Sequence, residues 1–233
     1  MVDETTYSVG SPSSDFLVRN ALCPRSALAR REATYYPLRK RVMDVVLAFF
    51  GILLLLPLMA VVCAIIVFTD GFPVLFRQPR IGKDGKLFTI FKFRSMRKDA
   101  EHVLKSDPRL AAKFEENFKL DFDPRITRVG RFLRSSSIDE LPQLFNVLRG
   151  DMSLVGPRPI VQRELEKYGD YQDVYCSLMP GCTGLWQCSG RSDTTYEARV
   201  LMDVDYAFRA SNWFDLCIIL KTFRAVLAKR GAK

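Results

Sequence analysis

The longest hydrophobic segment of the chain covers residues 45–68, VVLAFFGILLLLPLMAVVCAIIVF, and contains no charged residue. As a helix it would extend roughly 36 Å, at about 1.5 Å per residue, which is enough to cross a hydrocarbon core about 30 Å thick. It begins too far from the N-terminus, and is too long, to be the hydrophobic part of a signal peptide. The pattern predicts a membrane helix, and an ordinary single-pass anchor is the first interpretation of it.

Two features of this segment favour a helix that enters and leaves the membrane on the same side. Pro57 lies near its middle, where proline removes a backbone hydrogen bond and bends a helix. Both flanks are basic, and positive charge collects on the cytoplasmic side of membrane segments. These cations are Arg39, Lys40 and Arg41 before the segment and Arg77, Arg80, Lys83 and Lys86 after it. We therefore expect a re-entrant helix hairpin in one leaflet, with the single span as the alternative.

Beyond the membrane segment the pattern becomes that of a globular domain. Alternating positions from Leu87 to Phe93, after a turn at 82–85, predict a hairpin or two short extended segments. Helical patterns cover 99–120, with a break at 107–108, and then 139–148, 161–168 and 196–229. The predicted fold class is α+β and mainly helical: a disordered tail at 1–37, a re-entrant membrane helix hairpin at 38–71, and a small cytosolic domain at 72–233 with interfacial amphipathic helices.

The C-terminal helical pattern combines apolar side chains with basic ones. This combination is typical of a helix that lies in a membrane interface. A helix packed in the core with one solvated edge would show the same pattern, so both interpretations stay open. The residues concerned are Trp213, Phe214, Leu216, Ile218, Ile219, Leu220, Phe223, Val226 and Leu227, with Lys221, Arg224, Lys229 and Arg230.

Composition excludes several classes of protein. With 48% hydrophobic and 26% charged residues among 233, the chain is neither intrinsically disordered nor of low complexity. Its formal net charge of +9 attracts anionic lipid headgroups. His102 is the single histidine, and none of the six cysteines stands in Cys-x-x-Cys spacing. This argues against a histidine-based catalyst, a zinc site and a disulfide scaffold.

The segment 121–159 carries most of the candidate chemistry. Ser137, Asp139 and Glu140 fit the S-x-x-E pattern of a capping box, with Ser137 as the N-cap. On this interpretation the two acids only stabilise the N-terminus of a helix. A second interpretation comes from the arginines nearby, because guanidinium groups beside a helix N-terminus can form a phosphate site. They are Arg125, Arg128, Arg131 and Arg134 at three-residue spacing, followed by Arg149 and Arg158; a solvated basic helix face is the alternative.

In such a setting Asp139 and Glu140 can have separate roles. Neighbouring cations and a helix N-terminus favour an ionised carboxylate, and an ionised aspartate can attack phosphorus to form an acyl phosphate. The adjacent glutamate can hold Mg²⁺, a hard cation that suits carboxylate and phosphate oxygens. A metal or an arginine clamp is required, because a bare carboxylate would be repelled by an anionic diphosphate.

The order of short motifs from about residue 38 to the C-terminus resembles the bacterial sugar transferases known as monotopic phosphoglycosyl transferases. Two short sequences are most similar to those of the exopolysaccharide-type galactose or glucose phosphotransferases: Gly184-Leu185-Trp186-Gln187 and the ending Arg230-Gly231-Ala232. The motifs that carry the resemblance are KRVMD at 40–44, FPV at 72–74, QxRxG at 78–82, KFRSM at 92–96, DPRIT at 123–127, SIDELPQ at 137–143, NVxxGDMSxxGPRP at 146–159, PGxTG at 180–184 and QxSGR at 187–191.

The resemblance implies a two-step reaction on the cytoplasmic face of the bacterial inner membrane. Asp139 would attack the sugar-linked phosphate of a UDP-hexose, UMP would leave, and undecaprenyl phosphate would then accept the hexosyl phosphate to start exopolysaccharide synthesis. Glu140 would be the Mg²⁺ ligand. It further implies a helix bent at a Ser-Pro or similar pair, where this chain has Leu56-Pro57. Further implied catalytic or substrate-binding residues are Lys92, Arg134, Arg158, Arg191, Asp203, Arg94 and Arg125.

Two other functions stay open at this point. A membrane-bound phosphohydrolase would use Asp139 with water as acceptor and would need no polyprenyl phosphate. A basic membrane-anchored scaffold would bind anionic lipids or nucleic acid through its charge, with binding that falls smoothly with salt. The combination of acidic pair, arginines and membrane segment favours the transferase, with no nucleic-acid partner. The sequence does not distinguish galactose from glucose, and it leaves a homodimer open.

Overall fold

The computed structural model describes residues 36–117, 120, 122–189 and 194–227. The predicted disordered tail lies outside these residues except for its last two, which already belong to a helix. The first element, α1, covers Tyr36–Asp70.

The rest of the described chain is built from short helices and two small sheets, as the predicted mainly helical α+β class requires. Strands β1 (Leu75–Ile81) and β2 (Leu87–Phe93) form an antiparallel hairpin, and β3 (Ser153–Val155) pairs in parallel with β4 (Gly181–Thr183). The helices are α2 (Ala100–Ser106), α3 (Pro108–Asn117), α4 (Arg128–Ser135), α5 (Gln143–Arg149), α6 (Gln162–Leu165), α7 (Gln172–Ser177), α8 (Leu185–Ser189), α9 (Tyr196–Arg209) and α10 (Asn212–Leu227).

Several element predictions are confirmed and others need correction. The predicted hairpin is β1–β2, and the break at 107–108 separates α2 from α3. The helix predicted over 139–148 is instead a 3₁₀ turn, Ile138–Glu140, followed by α5, because Pro142 has no amide hydrogen to continue the first turn. The helix predicted over 161–168 shrinks to the four residues of α6 and a following 3₁₀ segment, Glu166–Tyr171.

Helix α1 is one continuous helix that passes through Pro57, so the structure does not confirm the predicted re-entrant hairpin. Its portion Leu38–Asp70 contains an 18-residue stretch with a mean hydropathy of 3.0 and is the helix, among the described residues, that is long and apolar enough to cross a membrane. Only 17% of its most apolar stretch is buried in the protein. A large apolar surface of α1 is therefore available to lipid.

One narrow stripe of α1 packs lengthwise against the globular domain. Asp44, Ala48, Met59, Val62 and Ile66 are buried. The steps between them are four, eleven, three and four residues, each close to a whole number of helical turns, so these residues lie on one helix face. Near the C-terminal half, this stripe joins a core cluster with residues of β2 and α4. The helix therefore runs along the domain, rather than leading away from it.

Both ends of α1 are tied to the same domain by polar contacts. At the N-terminal end, Lys40 Nζ lies 2.7 Å from the buried Asp215 carboxylate of α10, and Arg41 donates to two carbonyls of α5 at 2.6 and 3.0 Å. At the C-terminal end, Arg94 Nη2 donates to the Asp70 and Gly71 carbonyls at 2.8 and 2.6 Å. These contacts hold both ends of the helix against the domain.

Helix α10 shows features of both interpretations left open for it. Ile218 is buried in a core cluster with Val155 and Tyr206, as in a core-packed helix. Trp213, Leu220 and Phe223 instead remain exposed on its outer side, as an interfacial helix requires.

Candidate active site

The acidic pair lies on a sharp turn between α4 and α5. Ser137 has a left-handed backbone conformation, with φ 57° and ψ 16°, and Asp139 and Glu140 follow in the 3₁₀ turn. The Ser137 side chain makes no capping hydrogen bond, so the predicted capping box is wrong. The left-handed residue redirects the chain, which leaves the Glu140 carboxylate free to reach a different element.

That element is strand β2. Lys92 Nζ donates to Glu140 Oε1 at 2.6 Å, although the two residues are 48 positions apart in sequence. Asn146 holds the two elements in register, because its amide accepts from Phe91 N at 3.0 Å and donates to Thr89 O at 2.7 Å. The side chain of the fully buried Asn146 thus links α5 to the backbone of β2 and positions the Lys92–Glu140 pair.

Asp139 is buried beside this pair, with 7% of its surface exposed. Burial raises its pKa to about 6, and the negative charge of Glu140 acts in the same direction, while Lys92 and Arg134 oppose it. The expectation that the surroundings favour the ionised form is therefore wrong in direction, since desolvation outweighs the cations. With a pKa below 7 the carboxylate is still mostly ionised at neutral pH.

A narrow, partly open cleft adjoins the Lys92–Glu140 pair. Its lining includes Lys92 and Glu140 and the guanidinium groups of Arg80 and Arg158, with Pro159 and Cys182 completing one wall. Three cations, Lys92, Arg80 and Arg158, thus line the cleft. Among the described lining residues, Glu140 is the single carboxylate. This arrangement is suited to an anionic ligand.

The predicted row of arginines does not form one helix face. Arg125 precedes α4, and its guanidinium is buried in a two-point contact with Asp123 at 2.7 and 2.8 Å, against the Phe114 ring. Arg128 and Arg131 are exposed on α4. Arg134 is the member near the acidic pair: its Nε donates to Ser95 Oγ at 2.9 Å and its charge acts on Asp139.

The remaining predicted site residues have different surroundings. Arg158 lines the cleft, and its predicted role in binding phosphate stays a prediction. Arg94 is buried and directed at the last carbonyls of α1, so the structure does not bring it to the cleft, and Arg125 is likewise committed to Asp123. Arg191 lies outside the described residues. Sequence reasoning missed Arg80, Gln143 and Gln187 as lining residues, although each lies inside a motif that was recognised.

Asp203 is buried on α9. Tyr168 donates its hydroxyl hydrogen to Asp203 Oδ2 at 2.8 Å, and Oδ1 has no hydrogen-bond partner among the described residues. Burial raises the pKa of Asp203 to about 7, and the Tyr168 hydrogen bond only partly opposes this. Asp203 is not among the residues that line the cleft, and its predicted role in substrate binding stays a prediction. Its side chain is hydrogen-bonded to Tyr168, one of a group of buried tyrosines.

Replacing Asp203 by asparagine is expected to raise the melting temperature more at pH 8 than at pH 5, by several degrees. The folded protein retains a proton on Asp203 up to about pH 7 that the unfolded chain loses near pH 4, so wild-type stability falls as the pH rises between these values. Asparagine carries no charge and avoids this loss. Melting curves of both proteins across this range measure the effect.

Asp205→Asn is the matched control for this prediction, because Asp205 lies two residues away on the same helix and pairs with Arg209 at 3.1 Å. It is expected to give no pH-dependent gain. A melting difference for Asp203→Asn that does not change with pH would show that Asp203 is not held neutral.

The carboxylates of the acidic pair fit a magnesium ion that takes its remaining ligands from water and a substrate. The described residues contain no group of three or more His, Cys, Asp or Glu side chains that could enclose a metal. Mg²⁺ usually binds one or two carboxylates and takes its other ligands from water and substrate phosphates. Glu140, whose side chain is 35% exposed, together with the adjacent Asp139, meets this requirement.

Comparison with known proteins identifies one family over most of the chain. A sequence model described as bacterial sugar transferase matches residues 35–229. An undecaprenyl-phosphate galactose phosphotransferase of Salmonella typhimurium is 48% identical over 209 residues, 88% of this chain and 43% of that protein. The exopolysaccharide production protein ExoY of Sinorhizobium fredii is 43% identical over 197 residues, 83% of this chain and 87% of that protein.

A UDP-glucose:undecaprenyl-phosphate glucose-1-phosphate transferase of Escherichia coli is 39% identical over 193 residues, 79% of this chain and 39% of that protein. The chain therefore spans less than half the length of the Salmonella and Escherichia relatives but most of the length of ExoY.

Proposed function

Because the chain belongs to the bacterial sugar transferase family, we propose that it transfers galactose or glucose 1-phosphate from a UDP-hexose to undecaprenyl phosphate. The observation that carries the proposal is the buried Asp139 beside the Lys92–Glu140 pair, at a cleft lined by further cations. A nucleophile, a clamp for phosphate charge and an apolar helix for lipid contact are the parts that this reaction needs. The product would start exopolysaccharide synthesis.

The chemistry consists of two displacements at one phosphorus atom. In the first, an Asp139 oxygen bonds to the phosphorus that carries the hexose, and the bond from this phosphorus to the UMP oxygen breaks, so UMP leaves. In the second, a phosphate oxygen of undecaprenyl phosphate bonds to the same phosphorus and the bond to Asp139 breaks. The carboxylate is restored, and undecaprenyl-diphospho-hexose is the product.

The side chains around Asp139 each have a physical role in these steps. Arg134 and Lys92 reduce the repulsion between the carboxylate and the anionic donor, and they stabilise negative charge that develops on the phosphoryl oxygens. The pKa of about 6 keeps Asp139 ionised at neutral pH and also keeps it a better nucleophile than a carboxylate of ordinary pKa. Mg²⁺ held by Glu140 would supply further neutralisation of phosphate charge.

We place α1 in one leaflet of the cytoplasmic membrane, with the globular domain on the cytoplasmic face. A 35-residue helix is roughly 52 Å long, and a full span would carry one of its two ends to the far side. Both ends are instead held by contacts to one domain, Lys40 with Asp215 and Arg94 with Asp70. The exposed apolar face of α1 can enter lipid while its buried stripe stays on the protein.

Cysteine accessibility tests this placement. In a protein whose native cysteines are replaced, single cysteines at Asn20 and Ser135 should both react with a membrane-impermeant maleimide in inside-out vesicles and should both be protected in intact spheroplasts. Reaction of both cysteines in inside-out vesicles also shows that both variants are expressed. Reaction of the two positions from opposite sides would establish a full span and contradict the placement.

A panel of UDP-sugars tests the proposed function. Purified full-length protein is incubated with each sugar nucleotide, undecaprenyl phosphate and Mg²⁺, and UMP release and the lipid product are measured, with and without EDTA. We expect UMP and undecaprenyl-diphospho-hexose in equal amounts from UDP-galactose or UDP-glucose, and loss of both with EDTA. UMP and free hexose phosphate without the lipid acceptor would instead establish a hydrolase, and no turnover of any donor would contradict a transferase.

A further inference from the structure

Arg80, near the end of strand β1, has a largely enclosed side chain whose hydrogen-bonding capacity is not fully used within the described residues. Arg80 Nη1 donates to Pro159 O at 3.0 Å, and Nη2 donates to Gln78 Oε1 at 2.6 Å. Its Nε is buried and has no partner among the described residues. Both acceptors are neutral, so the described part of the chain gives this guanidinium no ion pair.

A second guanidinium faces the same space. Arg158 lines the cleft with Arg80, and its side chain makes no ion pair or hydrogen bond within the described residues. Burial, together with the positive charge of Arg158, lowers the pKa of Arg80 to about 10. Two cations that repel each other in a partly buried cleft cost free energy unless an anion is bound between them.

A neutral acceptor lies beside the two cations. Gln187 lines the cleft, and its Oε1 atom is buried without a hydrogen-bond partner among the described residues. Its Nε2 makes one long contact, 3.5 Å, to Cys182 O. A buried amide oxygen without a partner is costly, so a bound ligand that donates a hydrogen here would be favoured.

The two requirements together define the chemistry of a ligand. The cations need an anion with several acceptor oxygens, for which the forked guanidinium geometry suits phosphate. The Gln187 oxygen needs a hydroxyl or N–H donor a short distance from that anion. A sugar phosphate or nucleotide satisfies both needs, whereas a polyprenyl phosphate has no hydroxyl group on its chain.

We propose that Arg80 and Arg158 together bind one phosphate group of the sugar-nucleotide donor, and that Gln187 accepts a hydrogen bond from a hydroxyl group of the same ligand. This inference rests on the proposed function for the identity of the donor. It adds Arg80 and Gln187 to the binding site, and it explains why Arg80 is buried at the end of β1 without a carboxylate partner.

Binding of UDP to the full-length protein tests the phosphate site without requiring turnover. Arg80→Gln is expected to weaken UDP binding about tenfold or more, because a hydrogen-bonded charge pair is lost. Arg80→Lys, which keeps the charge but not the fork, should give a smaller loss. The matched control is Arg77→Gln, on the same strand but with an exposed guanidinium near the Phe91 ring, and it should bind UDP as the wild type does.

Melting curves separate a binding defect from a folding defect. Arg80→Gln with a wild-type melting temperature but a reduced UDP-induced rise in that temperature supports the proposal. If Arg80→Gln does not fold, the same comparison is made with Arg158→Gln, whose side chain makes no hydrogen bond or ion pair within the described residues. Folded variants that bind UDP as tightly as wild type would overturn the proposal.

Two further measurements identify the ligand. The first compares UDP affinity with the KM for undecaprenyl phosphate: if UDP binding is unchanged but this KM rises tenfold in Arg80→Gln, the phosphate is that of the lipid and the donor assignment is overturned. Gln187→Met is expected to weaken UDP-hexose binding several-fold, and unchanged affinity would overturn the role of Gln187.

A wild-type protein that turns over no UDP-hexose yet binds UDP in an Arg80-dependent way would contradict the proposed function while leaving this site in place.

Discussion

Asp139→Asn is expected to abolish both UMP release and hexosyl-phosphate transfer, with a loss on the order of 10⁴-fold or more. Asparagine preserves the shape of the side chain but has no anionic oxygen to bond to phosphorus. The substitution also removes the buried negative charge beside Glu140, so the folded protein should lose no stability. UMP release measured with donor alone, and lipid product measured with both substrates, check the two steps separately.

Asp84→Asn is the control for this experiment. Asp84 is exposed in the turn between β1 and β2 and has a left-handed backbone conformation that asparagine also tolerates. We expect this variant to have wild-type activity. An Asp139→Asn protein that still turned over UDP-hexose at a rate near that of Asp84→Asn would contradict the role of Asp139 as nucleophile.

Gly130→Ala is expected to destabilise the protein by about 3 kcal/mol and to reduce activity in whatever protein still folds. Gly130 lies in the first turn of α4, where its amide donates to the N-cap Thr127 at 2.9 Å. A Cβ at this position would overlap the backbone carbonyl of Ser95, so α4 would have to move away. Because Arg134 on α4 is bonded to Ser95 Oγ, the same displacement would move a cation that acts on Asp139.

Gly51→Ala tests whether the effect comes from this close approach rather than from loss of a glycine. Gly51 is in α1, and a Cβ there meets only Leu144 Cδ1 at 3.6 Å, an ordinary contact. Alanine in a helix is favoured over glycine by roughly 0.5–1 kcal/mol, so this variant should be at least as stable as wild type. Denaturant unfolding in the same detergent compares the two; equal stabilities would show that α4 does not need the glycine.

The elements with strong local signals were predictable from the sequence. The membrane helix follows from a long uncharged run, and the β1–β2 hairpin follows from a glycine-containing turn between extended segments. Asp139 and Glu140 could be proposed as site residues because they lie among many closely spaced motifs. In each case the information lies within a short stretch of chain.

The features that were not predictable depend on contacts between distant segments. The capping box at Ser137 failed because Lys92, far away in sequence, binds the Glu140 carboxylate that the box would use. The pKa of Asp139 was expected in the wrong direction because burial is a property of the folded core, not of the neighbouring residues in sequence. Charge spacing alone likewise could not show that Arg125 is committed to Asp123.

The arginines illustrate the same limit in the opposite direction. Before folding is considered, Arg80 is one of several cations after the membrane segment. It belongs to the QxRxG motif and Arg77 does not, but the motif does not show which of the two side chains lines a cleft. In the folded chain the two lie on one strand, but Arg80 enters the cleft and Arg77 stays exposed. A basic flank therefore contains both a residue suited to the membrane surface and a candidate for the binding site.

The most direct test of the account is intact-protein mass spectrometry of the enzyme mixed with its UDP-hexose donor and Mg²⁺, but no lipid acceptor. The account predicts a species heavier by one hexosyl phosphate, with the modification located on the peptide that contains Asp139, and its disappearance when undecaprenyl phosphate is added. A protein that completes the transfer under the same conditions but never carries this group at Asp139 would contradict the two-step mechanism.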